Sequence, residues 1–426
     1  MRLNKILLLS VGGSAEPIVN AIKEHNPDFV YFFCSSGTRG SEKTIDSPGD
    51  PCGDKRKARC PECGCSYYLG DPKGRAIVFQ AGLVKEQYEI VTVDKPDDLN
   101  ACYQRLLELA ERIEERHEDC QIIANYTGGT KTMSAAMALV GVMTEQWDLS
   151  LNIGPRRDLI HVRSGDVPVV IDKWSIFYQN RLESFGEPLE NHYYAFVASS
   201  ISEMLHRPMD GSLRDRLIET RVICEAFDLW DRFRHDGALE LLEPYGGRFA
   251  PHIIHAKKIL GVIRATGYEL VSDLLMNAER RAVQKHYDDA ISRLYRATEL
   301  FAQIRLEKEY GYHTGDLRLN QLPKDLRDEY KEHLRGDKLI LGLRDDYVLL
   351  SKLEDPVGRT FEVRSARIID ALTQRNSSIG AHGLIPMGKE DYHLVKDNLE
   401  GFIMEAARGI ELDLKMEQLP GSAILR

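Results

Sequence analysis

The chain has 426 residues, 43% hydrophobic and 29% charged, with a net charge of -10 and a pI of about 5.8. That length leaves room for two or three domains with cores of their own, and the apolar share excludes a wholly disordered chain. An acidic chain is no indiscriminate nucleic-acid coat, which needs a broad basic surface, although a local basic cleft is compatible with it.

The first apolar run, Ile6 to Val11, follows Met-Arg-Leu-Asn-Lys and meets Gly12-Gly13-Ser14. It is too short for a signal peptide and lacks a small-x-small cleavage site, so it reads as a first β-strand. The longest nearly pure apolar stretch, Ala135 to Met143, is about half the length of a membrane-spanning helix, and a cytoplasmic protein is expected. Further strand signals are Phe29 to Phe33, Glu89 to Val93, Gln121 to Ala124, Leu151 to Ile153 and Val167 to Ile171. Helical stretches lie between them at Glu16 to His25, Asp97 to His117 and Thr130 to Glu145. In the second, Leu99, Tyr103, Leu106, Leu107, Ala110 and Ile113 fall at three- and four-residue steps and form one apolar face. Continuous apolar strands alternating with amphipathic helices predict a mainly parallel, Rossmann-like sheet covered on both faces.

Residues 36 to 75 break this alternation: they are rich in Gly, Pro, Asp, Ser, Lys and Arg and read as an insertion after the second strand. Four of the eight cysteines crowd there, Cys52, Cys60, Cys63 and Cys65. Cys60-Pro61-Glu62-Cys63-Gly64 has the form of a zinc knuckle, a tight turn that aims two thiolates at one metal. Cys52 and Cys65 are an irregular second pair, so a structural zinc and a loop with reduced thiols both stand as readings. After Trp174 the strand signal disappears. Leu213 to Phe233, Asp288 to Leu306, Ala366 to Arg375 and Asp391 to Ala407 have helical period, which predicts an all-α second domain. The expected organisation is an α/β domain over 1–175, with the insertion at 36–75, and an all-α domain over 176–426.

Two segments of the α/β part are suited to an anionic ligand. Ser10-Val11-Gly12-Gly13-Ser14 closes the first strand, and Asn125-Tyr126-Thr127-Gly128-Gly129-Thr130-Lys131-Thr132 joins a later strand to a helix. Glycines there let a phosphate approach backbone N–H groups at a helix start, and two such loops at the carboxyl ends of parallel strands form a nucleotide crevice. The spacing is not that of a Walker A loop. Connector turns have the same glycines, but they do not need Thr130-Lys131-Thr132.

In the helical part, Arg375-Asn376 is followed by Ser377, Ser378, Gly380, Ala381 and His382. Arg375 and His382 are seven positions apart, about two helical turns. Histidine moves protons and arginine stabilises a phosphorane dianion, which suffices for metal-independent RNA cleavage by an adjacent 2′-OH. The pattern alone is uninformative, because an arginine followed by a histidine after four to six residues also occurs at Arg112/His117, Arg156/His161, Arg248/His255, Arg280/His286, Arg281/His286 and Arg327/His333. Context sets Arg375 and His382 apart: an asparagine beside the arginine, then small residues that keep the surface open. The alternative is a helix-capping histidine with an ordinary surface arginine. Asp328-Glu329-Tyr330-Lys331 contains the E-x-K of some metal nucleases or is a solvated helix face. Arg293, Tyr295, Arg296 and Glu299 either pair along a surface or line an RNA cleft.

With these motifs in this order, the N-terminal part resembles the CARF domain (CRISPR-associated Rossmann fold), and the C-terminal part resembles HEPN ribonucleases. The stretch Asp288-Asp289-Ala290-Ile291-Ser292-Arg293-Leu294-Tyr295-Arg296-Ala297 is similar to the helix before the HEPN motif in CARF-HEPN proteins of type III CRISPR systems. The resemblance implies a cyclic oligoadenylate sensor that switches on single-stranded RNA cleavage in antiviral defence and leaves 2′,3′-cyclic phosphate ends. Gly12, Gly13, Ser14, Ser35, Ser36, Asn125, Thr127, Gly128, Gly129, Thr130, Lys131 and Thr132 are then expected at the ligand. Arg375 is expected to stabilise the scissile phosphate, His382 to act as acid or base and Asn376 to orient them, with no cofactor for catalysis. A homodimer is implied, with one ligand across two sensor domains and a nuclease cleft shared by two helical domains. The Arg-to-His gap is at the long end of the HEPN range, and the cysteine insertion is not a general CARF feature. Two other readings stand beside this one: a nucleotide-sensing regulator that binds a protein or DNA without catalysis, and an enzyme that degrades a nucleotide in the Rossmann crevice.

Overall fold

The apolar runs of the N-terminal part become a six-stranded sheet in the computed structural model, which describes residues 4–37, 40–46, 57–59, 66–68, 76–117, 119–154, 156–157, 161–162, 166–207, 209–377 and 384–425. Its strands are β1 (Asn4–Val11), β2 (Phe29–Ser35), β3 (Tyr88–Val93), β4 (Cys120–Asn125), β5 (Trp147–Ile153) and β6 (Val167–Ile171). In space they run β6-β5-β4-β1-β2-β3, parallel throughout except that β6 is antiparallel to β5. This doubly wound order reverses direction between β1 and β4, the place where such sheets open a crevice at their carboxyl edge.

Alternate residues of each strand serve opposite faces. Leu7, Leu9, Val30, Phe32 and Ile123 pack with helix α1 (Ala15–His25). Ile6, Leu8, Tyr31, Phe33, Ile122 and Ala124 pack with α2 (Leu99–Arg116) and α3 (Lys131–Met143). Burial on both faces explains why the strands read as unbroken apolar runs rather than as alternating patterns. Within the insertion, Lys57–Arg59 pairs antiparallel with Ser66–Tyr68.

The chain divides into two compact units, Met1–Asn180 and Arg181–Arg426, with the division inside helix α4 (Trp174–Ser184). The second unit contains α5 (Tyr194–Met204), α6 (Gly211–Asp231), α7 (His235–Leu242), α8 (Gly246–Ile259), α9 (Glu269–Val283) and α10 (Tyr287–Tyr310). It continues with α11 (Leu343–Lys352), α12 (Pro356–Ser377) and α13 (Lys389–Gly409). Helices α9 to α13 enclose one apolar core that includes Leu275, Leu294, Phe301, Tyr347, Phe361 and Phe402. One feature departs from the expected absence of strands: a two-residue pair, Leu334–Arg335 with Lys338–Leu339, turns through Gly336 at φ 68°. Such a turn carries no periodic signal. No helix among the described residues is long and apolar enough to cross a membrane.

A polar network ties α6, α7 and α9 to the C-terminal segment. Arg280 is fully buried and donates from Nε to Asp231 Oδ1 at 2.7 Å and from Nη1 to Gln418 Oε1 at 2.7 Å. Asp273 accepts from Trp230 Nε1 at 2.9 Å and lies 2.9 Å from His235 Nε2. Burial works against its charge, but the His235 hydrogen bond and the Arg280 guanidinium outweigh it and hold the carboxyl below its usual value.

Lys173 closes the N-terminal unit in a comparable way. Its side chain is 2% exposed, and Nζ donates to the carbonyls of Gly141, at 3.0 Å, Thr144 and Glu145, at 3.3 Å. These groups end α3, where a positive charge meets the negative end of the helix dipole. Lys173→Met retains the aliphatic stem but leaves the helix end without its donor. A loss of about 1–3 kcal/mol in urea unfolding is expected, whereas unchanged stability would mean that water satisfies these carbonyls equally well.

Candidate functional site

The loops after β1 and β4 meet at the reversal point of the sheet. A Cβ built on Gly12 would lie 2.9 Å from Gly129 N, and one on Gly128 would lie 2.3 Å from the Ser10 carbonyl oxygen. Gly129 has φ 82°, in the left-handed region that favours glycine. The Gly128 carbonyl accepts from Ser10 Oγ and from Ser134 Oγ, each at 2.7 Å. Because the peptide unit is planar and trans, the Gly129 N–H points to the opposite side from these hydroxyls. The N-termini of α1 and α3 start from these two loops, which brings two positive dipole ends to the same edge of the sheet.

The structure gives the ligand-site residues expected from sequence different roles. Ser14 is exposed at the N-cap of α1 and makes no side-chain capping bond, and Lys131 is exposed in the first turn of α3. Gly12, Gly13, Thr127, Gly128, Gly129 and Thr132 are half-buried around them. Thr130 is also half-buried, but its hydroxyl caps α3 by accepting from Met133 N at 3.2 Å and donates to the Pro96 carbonyl at 2.7 Å. Ser36 Oγ donates to Asp94 Oδ1 at 2.6 Å. Ser35 Oγ lies 3.2 Å from Ser41 Oγ, and Ser41 in turn donates to the Val11 carbonyl at 2.7 Å, which ties the loop after β2 to the end of β1.

Asn125 is fully buried, so its side chain supports the loop from beneath rather than facing the crevice. It donates from Nδ2 to Ser150 Oγ at 3.1 Å and Asn152 Oδ1 at 2.8 Å, and accepts from the Thr127 backbone N–H at 3.2 Å. Sequence reasoning missed Ser150 and Asn152. Their signal was two polar residues at alternate positions of Leu149-Ser150-Leu151-Asn152-Ile153, which share one face of a strand.

In the helical unit, Arg375 and Asn376 lie in the last turn of α12. His382 lies outside the described residues, as do Cys52, Cys60, Cys63 and Cys65. Among the described residues, no cluster of three or more His, Cys, Asp or Glu side chains is arranged to hold a metal ion. The E-x-K reading is corrected: Asp328 pairs with Lys331 at 2.5 Å and Glu329 with Lys352 at 3.0 Å, an exposed face of i,i+3 and inter-element ion pairs. Arg296 likewise pairs with Glu299 at 2.5 Å, and Arg293 with Asp289 at 3.3 Å.

Asp346, near the start of α11, is fully buried, and neither carboxyl oxygen has a hydrogen-bond partner among the described residues. Burial, with Glu299 and Asp345 adding to it and Arg296 opposing, pushes its carboxyl up to about 8.

Residues 259–406 match the family described as the Csm6 HEPN domain, a span that contains Arg375, Asn376 and His382. No curated relative matches the chain. Among solved structures, Enterococcus italicus Csm6 bound to cyclic hexa-2′-fluoro-hexa-dAMP is similar, with 13% identity, a TM-score of 0.59 and 95% of each chain covered. At that identity the likeness is one of fold, and it takes in both units of the chain.

Two substitutions test this geometry. Gly128→Ala drives a methyl group into the Ser10 carbonyl, so a destabilisation of about 1–3 kcal/mol in thermal unfolding is expected; a wild-type melting curve would show that the loops do not need this approach. Asp346 binds its proton more tightly folded than unfolded, so its contribution to stability is full below about pH 4 and is lost as pH rises to about 8. Asp346→Asn removes that dependence: melting temperatures measured from pH 4 to pH 8 should fall less steeply than in the wild type. Parallel curves would place the titration elsewhere.

Proposed function

We propose that the chain, whose residues 259–406 match the Csm6 HEPN domain and lie behind a doubly wound α/β unit, is a CARF-HEPN protein and a cyclic oligoadenylate-activated endoribonuclease of CRISPR antiviral defence. The observation that carries the reading is the placement of Arg375-Asn376 in the last turn of α12, followed by His382 and within the span that matches the HEPN family. The binding of a cyclic hexa-adenylate analogue by Enterococcus italicus Csm6, a protein of the same fold, supports the choice of activator.

The N-terminal unit is the sensor. Its ligand carries phosphates and adenines, and the two glycine loops offer backbone N–H groups, the Ser14 hydroxyl, the Lys131 ammonium and two helix N-termini to the phosphates. The helical unit cuts single-stranded RNA. The ribose 2′-oxygen bonds to the adjacent phosphorus as its proton leaves, and the bond from phosphorus to the 5′-oxygen breaks as that oxygen takes up a proton. The products are a 2′,3′-cyclic phosphate and a 5′-hydroxyl. His382 moves protons in this exchange, Arg375 stabilises the charge that accumulates on the phosphoryl oxygens, and Asn376 orients them. All of this works without a metal ion. Two copies form a cytoplasmic homodimer, with one ring across two sensor units and one cleft between two helical units.

The test is cleavage of a fluorescent single-stranded RNA in EDTA, with cyclic tri-, tetra- and hexa-adenylate supplied separately to wild type and His382→Ala. Ring-dependent cleavage by wild type alone is expected, with a loss of at least about 100-fold in the variant. Cleavage that survives in His382→Ala moves the active site elsewhere. Ring binding without RNA turnover makes the protein a regulator rather than a nuclease.

A further inference from the structure

We propose that Asn152, together with Asp166, is the positioning residue that holds the two ligand loops of the sensor unit in register and thereby sets the affinity for the cyclic oligoadenylate; the inference rests on the sensor reading above. Asn152 lies near the end of β5 and is 3% exposed. Its carboxamide uses all four of its hydrogen-bonding positions. Oδ1 accepts from Asn125 Nδ2 at 2.8 Å and from Thr127 Oγ1 at 3.2 Å, both in the segment that leaves β4. Nδ2 donates to the Pro17 carbonyl at 2.9 Å, in the first turn of α1, and to Asp166 Oδ2 at 2.6 Å, just before β6. The Asn152 backbone N–H donates to Thr127 Oγ1 at 2.8 Å.

The orientation of the amide follows from its partners. A carbonyl oxygen and a carboxylate only accept, so the NH2 group must face Pro17 and Asp166. No other residue type supplies two acceptor and two donor positions at this size. Asp166 is 5% exposed, and its other oxygen accepts from Asn20 Nδ2 in α1. Its charge therefore lies against two amide donors, which strengthens both bonds. One carboxamide thus joins the start of α1, which follows the Gly12-Gly13-Ser14 loop, to Thr127, which begins the Gly128-Gly129 loop. A shift of either loop changes the distance between the helix N-termini that face the ligand, and an anion held by both sides senses that distance. Asn152 is buried beneath the loops and acts through them.

The test is binding of cyclic tetra- and hexa-adenylate, titrated separately into wild type, Asn152→Asp, Asp166→Asn and the double exchange, each with a melting curve. Asn152→Asp keeps both acceptors on Oδ1 but sets a second carboxylate against Asp166 and the Pro17 carbonyl, so an increase in Kd of about tenfold or more is expected. Asp166→Asn, the milder change, places one amide donor against another and should raise Kd about threefold. The exchange Asn152→Asp with Asp166→Asn restores a donor between the two side chains and should recover about half of the lost affinity on a logarithmic scale. That recovery separates positioning from simple destabilisation, which would lower the melting temperature further in the double variant and return no affinity. Wild-type Kd in Asn152→Asp, or no recovery in the exchange, overturns the role of Asn152. If Asn152→Asp does not fold, wild-type affinity in Asp166→Asn overturns it equally. A wild type that binds no ring overturns the sensor reading, and the inference with it.

Discussion

Backbone meets backbone where the loops after β1 and β4 come together, and the architecture of the N-terminal unit depends on that contact. Gly12 faces Gly129 and Gly128 faces the Ser10 carbonyl at distances that leave no room for a Cβ. The contact exists because the doubly wound order makes β1 and β4 neighbours, so that two strand-to-helix turns leave the same edge of the sheet side by side. Larger residues would push the loops apart and separate the helix N-termini behind them. The glycines serve the approach of the two loops to each other.

Beneath that contact the core of the N-terminal unit is polar where an apolar core would be expected. Asn125, Ser150, Asn152 and Asp166 are all buried, and each takes part in hydrogen bonds that join β4, β5, α1 and the approach to β6. His25 extends the set to the end of α1, with Nε2 3.0 Å from Ser150 Oγ. A satisfied network of this kind specifies one arrangement of loops, because an apolar substitute would tolerate several. The helical unit follows the same logic at Arg280, whose guanidinium gathers α6, α9 and the C-terminal segment. Asp346 departs from it, a buried acid whose carboxyl oxygens have no hydrogen-bond partner among the described residues, and burial favours its neutral, protonated form.

The two units carry different chemistry because they present different groups. The N-terminal unit offers N–H groups, hydroxyls and helix ends, groups suited to binding a phosphate without reacting with it. The sequence of the helical unit has an arginine and a histidine in one short segment, residue types that can bind phosphate and move protons. The order of the units in the chain, rather than either motif alone, makes the combination informative, since an arginine followed by a histidine after four to six residues recurs six more times in this chain.

Local sequence determined the alternation of strand and helix, the amphipathic face of α2, the long helices α10 and α13 and the positions of the glycine loops. These depend on near neighbours: side-chain period, chain stiffness and the freedom of glycine act within a few residues. Helix α9 was not legible in the same way, because Ser272, Asp273, Asn277 and Arg280 lie on its buried face and interrupt the apolar period. Tertiary structure alone decided that the Asn125 side chain is buried against Ser150, Asn152 and Thr127, and that Asn152 links parts of the chain as distant as Pro17 and Asp166. Those partners are 135 and 14 residues from Asn152 along the chain. Only strand order brings them within hydrogen-bond reach, and strand order is a property of the assembled sheet that no local window contains.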